Sequence, residues 1–314
     1  MTERQLVNLE SKFSEGNYYD LLQSYKALYF RFSAQKKYKE TVSLLMSGTM
    51  NFLKYQQFDC ASELAKLLIE AYRNFKTPYS AESKANIIKL LNEYKDNTSH
   101  GKINFMRDAI KWSSEFPEES SSSSTSPNNS NKGSPELHKL LGDTLTDAGD
   151  YVDAQKHYLF GDSPMSFCRM LKKWVEESEN EDENDLYITR AVLGYLCLKK
   201  TLDANQLLTE YTKEIDRSNF TPLLNYIRYL LLTLDRDALP LFNLLKQKYE
   251  PSLKRDPQFS KYLDQIANVY FNVPISSGGG LGSILSNLFG GLTSPQTNSR
   301  NNNSSSSETH MEID

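Results

Sequence analysis

Gly16-Asn17-Tyr18-Tyr19-Asp20, Lys37-Tyr38-Lys39-Glu40 and Gln57-Phe58-Asp59-Cys60-Ala61 are three copies of one phrase. A fourth, Gly149-Asp150-Tyr151-Val152-Asp153-Ala154, follows much later. In each, a polar turn residue precedes an aromatic, then an acidic or small residue, then apolar positions at helical spacing. Tyr18, Tyr38 and Phe58 stand 20 residues apart, room for one helix and one turn. Self-similarity at a short fixed period marks a solenoid, whose helix pairs stack on their neighbours to bury their apolar faces. Such folds present surface, which directs attention to recognition rather than catalysis.

Outward from these phrases the helical period continues. Leu6, Leu9 and Phe13 suggest a short first helix, and Leu21, Leu22, Tyr25, Leu28, Tyr29 and Phe32 a clear stripe on the second. Val42, Leu45, Met46 and Met50 carry a third, and Ala61, Leu64, Leu67, Leu68 and Ala71 a fourth. Gly48 and Ala61 are small enough to let neighbouring helices approach. Ile87, Ile88, Leu90 and Leu91 define a fifth helix, and Ile103, Met106 and Ile110 a sixth that ends near Trp112. Residues 1–114 are therefore read as the N-terminal half of the solenoid.

The stretch 115–133 is almost wholly Pro, Glu, Ser, Thr and Asn, closes with Lys132-Gly133, and has no large apolar residue after Phe116. It cannot bury enough surface to offset ordering entropy and reads as a disordered insertion in an inter-helix loop. Helices resume over 134–274, the C-terminal half. Ser134-Pro135, Ser163-Pro164 and Thr221-Pro222 each offer an N-cap hydroxyl followed by proline at the first helical position. Leu186–Leu198 is apolar on most faces and should be packed on both sides, and Leu140 and Leu230 are expected in the interior. The acidic run Glu176–Asp185 reads as a solvated loop, or as a docking patch for a basic partner. Period-2 alternation with hairpin turns is missing, so the fold class is all-α.

Residues 275–292 combine a Gly-rich linker with a short amphipathic segment. Leu281, Ile284, Leu285, Leu288 and Phe289 fall at i, i+3, i+4, i+7 and i+8, one apolar face of two helical turns. That face suits docking on its own solenoid, in a partner groove or at a membrane surface; a polar side of serine and asparagine without lysine weakens the last. Residues 293–314, rich in Asn and Ser, form a disordered tail.

Charge is nearly balanced, 36 basic against 40 acidic residues, net −4, so no nucleic-acid surface is implied. Cys60, Cys168 and Cys197 lie far apart in apolar helical runs and read as buried thiols of a reducing, cytosolic compartment. The N-terminal residues lack the apolar core of a signal peptide, and no apolar run reaches the roughly 20 residues a membrane span needs. Gly278, Gly280 and Gly282 do not form GxGxxG in any register. The four histidines show no metal-ligand spacing, and His138 and His157, beside apolar stripes, read as satisfied structural groups. Most of the 19 tyrosines are expected to fill gaps between helices. No cofactor or catalytic residue is expected.

Several blocks resemble the Golgi to ER traffic protein 4 family. They are Glu10-Ser11-Lys12, Gly16–Asp20, Tyr29-Phe30-Arg31, Ala109–Ser113, Leu137–Leu141, Tyr195–Leu198, Tyr249–Pro257, Tyr262–Ile266 and the Gly-Leu segment at 278–292. The resemblance runs in order from residue 4 to about 292; the Ser-rich insertion and Asn/Ser tail depart from it. It implies a right-handed α-solenoid of TPR-like helix pairs without catalytic activity. The implied function is a cytosolic adaptor in the targeting of tail-anchored membrane proteins. The N-terminal half of such an adaptor binds the targeting ATPase, and its C-terminal half a ubiquitin-like subunit or ubiquitin-like chaperone scaffold. By position, Tyr18 and Glu63 fall where the family places ATPase-facing residues, Glu63 replacing an aspartate. A basic contact of some members is occupied here by Ala34. The alternative is a helical-repeat adaptor of another assembly.

Overall fold

The computed structural model describes residues 9, 11–95, 100–117, 132–178 and 180–274. Fourteen α-helices run through them, and no strand occurs among the described residues. They are α1 (Tyr18–Ala34), α2 (Tyr38–Lys54), α3 (Phe58–Asn74), α4 (Ala81–Glu93), α5 (His100–Glu115), α6 (Pro135–Asp147) and α7 (Tyr151–Tyr158). Then come α8 (Pro164–Glu177), α9 (Asn184–Cys197), α10 (Thr201–Tyr211), α11 (Pro222–Asp235), α12 (Leu239–Lys248), α13 (Glu250–Leu253) and α14 (Gln258–Phe271). The first expected helix is seen in part: Leu9 and Ser11 are helical, with Leu9 buried, and a 3-10 turn, Lys12–Glu15, follows with Phe13 buried; Leu6 lies outside the described residues.

The repeated phrase is a repeated turn. The aromatics Tyr18, Tyr38, Phe58 and Tyr151 are each the first residue of a helix. Before three of them the chain closes the preceding helix with a six-residue hydrogen bond: Lys37 N–H to Phe32 O, Gln57 N–H to Phe52 O, and Asp150 N–H to Leu145 O. In each, the residue just before that donor (Lys36, Gln56, Gly149) has positive φ, the Schellman ending of a helix. Glycine adopts that conformation freely at 149, whereas Lys36 and Gln56 bear a cost of about 1 kcal/mol. Asn17 and Asp150 then cap the next helix by accepting from the N–H groups of Asp20 and Asp153.

Stacking follows the solenoid rule. From α1 to α3, and again from α6 to α11, successive helices pack on the next and the next but one, and α5 continues the stack from α3 to α6. Gly48 permits the tight seam of α2 with α1 and α3: a Cβ there would lie 2.7 Å from both Leu64 Cδ1 and Tyr25 Cε1. One helix breaks the rule. α14 folds back on α9, so α9 is covered on nearly every face, as its composition suggested. The helices belong to one compact unit, Met1–Ser276; the second, Ser277–Asp314, lies outside the described residues.

Four expectations need correction. Of the three hydroxyl-proline starts, only Thr221 caps with its side chain, accepting from Leu224 N–H, while the Ser134 hydroxyl donates to Tyr79 Oη at 3.0 Å instead. The acidic run is not simply a solvated loop: Glu177 accepts from Tyr151 Oη, and Asp185 is buried on α9 and paired with Arg255 at 3.0 Å. Leu140 is only half-buried. The ends of the Ser-rich stretch belong to the helical body. Glu115 closes α5 and pairs with Arg73 at 2.8 Å, and the carbonyl of Phe116 accepts from Tyr79 N–H.

Tyr79 therefore holds both sides of that stretch, Phe116 through its backbone and Ser134 through its hydroxyl. The two anchor points are spanned by a single tyrosine. Replacing residues 118–131 with a short Gly-Ser linker should leave the urea midpoint unchanged, because loop length enters the closure entropy only logarithmically. A clearly lower midpoint would show that these residues contribute packing.

Candidate partner surfaces

Tyr18 opens α1, half-buried, its ring 6.2 Å from Tyr55 and 6.4 Å from Phe13. Phe13 and Tyr55 stack at 5.3 Å, so an aromatic cluster closes this end of the helical stack, with Tyr19 beside it 70% exposed. Glu63 sits on α3 with half its side chain in solvent, its carboxylate 2.8 Å from Lys26 Nζ of α1. Lys26 lies eight residues beyond Tyr18, about 12 Å along the α1 axis. The two carried-over residues therefore share one end of the protein without touching. Ala34, the last residue of α1, is exposed.

Sequence reading missed what surrounds Glu63. α1, α3 and α5 enclose a groove of about 640 Å³ lined by Leu22, Asp59, Cys60, Glu63, Lys66 and Phe105 among others. Burial, then the neighbouring Asp59 charge, push the Cys60 thiol up, so it stays protonated and is a poor nucleophile. Lys26, the direct partner of Glu63, comes from 37 residues earlier, a distance at which one sequence carries no pairing signal.

Toward the other end of the helical series four large apolar side chains stand exposed. Tyr229 and Leu232 on α11 are 41% and 47% exposed, and Leu241 and Leu244 on α12 are 43% and 57% exposed. Each pair is spaced i, i+3 and so shares a helix face, and α11 packs on α12. Leu281, Ile284, Leu285, Leu288 and Phe289 lie outside the described residues. The core takes most tyrosines, as expected: Tyr25, Tyr29, Tyr72, Tyr158, Tyr195 and Tyr226 are fully buried. No described helix is long and apolar enough to cross a membrane.

A helical stack with a charged groove at one end and unburied apolar side chains at the other defines a helical-repeat scaffold. The comparisons narrow the class to one family. Residues 35–289 match the family described as Golgi to ER traffic protein 4. The Golgi to ER traffic protein 4 homolog of Dictyostelium discoideum is 60% identical over 292 residues, covering 93% of this chain and 90% of its own. The Homo sapiens homolog is 32% identical over 291 residues, covering 90% and 85%. The solved structure of C. therm. Get4 superimposes with a TM-score of 0.75 at 26% identity, covering 93% of this chain and 96% of that one. The chain belongs to the Golgi to ER traffic protein 4 family, and its fold is the family's α-solenoid.

Proposed function

We propose that this protein is a cytosolic adaptor in the post-translational targeting of tail-anchored membrane proteins to the endoplasmic reticulum. Its N-terminal helices α1–α5 receive the targeting ATPase, and its C-terminal helices α6–α14 hold a ubiquitin-like subunit or chaperone scaffold. The reading is supported by family membership and by one observation above all, the unburied Tyr229, Leu232, Leu241 and Leu244. A terminal repeat ordinarily turns a polar face to water, and a large apolar patch left outside marks a partner site. A non-enzymatic role agrees with the state of the thiols: burial pushes Cys168 and Cys197 upward, as it does Cys60.

Two variants of the full chain separate the two interfaces. Leu241→Glu/Leu244→Glu should weaken binding of the purified ubiquitin-like subunit at least tenfold, about 1.4 kcal/mol. Its melting temperature should stay near that of the wild type, because both side chains are already in water. Glu63→Lys should weaken the ATPase complex instead, most visibly at low salt, where charge steering is strongest. Titration calorimetry reads both. Unchanged ATPase affinity in Glu63→Lys removes that residue from the interface. Failure of the wild-type chain to bind either partner overturns the reading and leaves an adaptor of another assembly.

A further inference from the structure

His138 on α6 and His157 on α7 are buried to 1% and 3% exposure, and their Nδ1 atoms face each other at 3.0 Å. The other nitrogen of His138, Nε2, lies 2.9 Å from the carbonyl oxygen of Lys132. A carbonyl only accepts, so His138 carries its proton on Nε2 and donates it there. In the neutral ring Nδ1 is then a bare lone pair, and the facing Nδ1 of His157 must be the donor. This assignment leaves Nε2 of His157 as the open nitrogen.

One added proton enters at His157 Nε2 and leaves both hydrogen bonds standing. A second must go to His138 Nδ1, which sets two N–H groups head to head at 3.0 Å and breaks the contact. The surroundings oppose even the first. Lys132, Lys200 and Asp162 face His138, while Arg107 and Lys156 face His157. Lys200 is paired with Asp162 at 2.6 Å, and Asp153 serves both Arg107 and Lys156 at 2.8 and 2.6 Å. Four cations thus stand against two carboxylates.

The pair also sits where the two halves of the solenoid are joined. His138 holds Lys132, Gly133 packs so tightly on α5 that a Cβ would lie 2.6 Å from Ile110 O, and Ser134 N–H donates to Ser113 Oγ at 2.9 Å. We propose that the His138–His157 pair is an acid-labile latch that fastens α6 to α7 and to the Lys132 lead-in packed on α5 at neutral pH, and that loosens α6 and α7, ahead of the remaining helices, in weak acid. Burial holds His138 down to about 4 and His157 well below its ordinary value, so at neutral pH both rings are neutral and the latch is closed. The released chain titrates near 6.5 and binds more protons than the closed one. Stability of the junction therefore falls as pH drops from about 6.5, and the loss levels off near the folded value.

Hydrogen exchange of the full chain at neutral pH and at about pH 4.5, corrected for intrinsic rates, tests the latch. Amides of α6 and α7 should lose at least tenfold more protection than those of α1–α3. His157→Asn keeps a donor close to the Nδ1 position and removes one of the two proton acceptors, so it should clearly reduce that difference while buried His138 retains the remainder. Uniform loss along the wild-type chain, or a difference undiminished in His157→Asn, overturns the proposal. Should that variant fail to fold, ¹⁵N–¹H long-range spectra of the wild-type histidines decide. Protons on Nε2 of His138 and Nδ1 of His157 are expected at neutral pH. Any other tautomer pair, or proton uptake by either ring near 6.5, overturns it.

Discussion

Trp112→Ala is expected to cost about 3–5 kcal/mol of folding stability, the range for deleting a fully buried large aromatic. Trp112 is completely buried on α5, its ring stacked on Tyr72 at 4.8 Å and met edge-on by Tyr79 at 5.6 Å. Its indole N–H donates to Thr77 O at 3.1 Å, in the turn that leaves α3. The substitution therefore opens a cavity in the α3–α5 seam and removes a donor from the turn that leads to Tyr79. Tyr79 in turn ties Phe116 to Ser134, so the defect spreads toward the joint between the two halves. Trp112→Phe keeps much of the stacked area and loses chiefly the hydrogen bond, about 0.5–1.5 kcal/mol plus a small void. Urea midpoints at constant slope measure both. A Trp112→Ala midpoint equal to the wild type would mean that this seam does not carry the stability its packing implies.

What sequence revealed here was local, and what it hid was not. The turn that ends one helix with a left-handed residue and begins the next with an aromatic is written within about six residues, so Tyr38, Phe58 and Tyr151 announced their helix starts. Hydroxyl-proline starts were also placed correctly, but position is not partner: the Ser134 hydroxyl met Tyr79 from 55 residues away and left its own helix uncapped. Asp185 looked like one more solvated acid until Arg255, 70 residues on, lay against it. The return of α14 onto α9 left a trace, since a helix apolar all round needs cover on every side, yet nothing identified which helix would supply it. Family membership was legible because whole blocks match in order. The surroundings of Glu63 were not, because its groove is assembled from three helices.

Leu230→Ala and Leu140→Ala should separate by several-fold, although periodicity places both leucines inside. Leu230 is fully buried on α11, within a stripe of Leu223, Ile227, Leu231 and Leu234 that packs toward α9 and α12. Truncation there removes three carbons, a methine and two methyls, from a site walled on both sides, for a loss of about 2–5 kcal/mol. On α6 the buried stripe runs through Leu137, His138, Leu141, Gly142 and Leu145. His138 belongs to the core because its hydrogen bonds are met, and Gly142 because Tyr158 lies over it, with a Cβ there only 3.0 Å from that ring. These two turn the helix so that Leu140 falls at the stripe's edge, half in water. Water fills the space that Leu140→Ala leaves, the cavity contribution vanishes, and the loss should stay under about 1.5 kcal/mol, near the transfer energy of a partly buried leucine. Urea unfolding of the two variants in one buffer makes the comparison. Equal losses would mean that α6 is rotated in solution and that His138, rather than Leu140, faces outward.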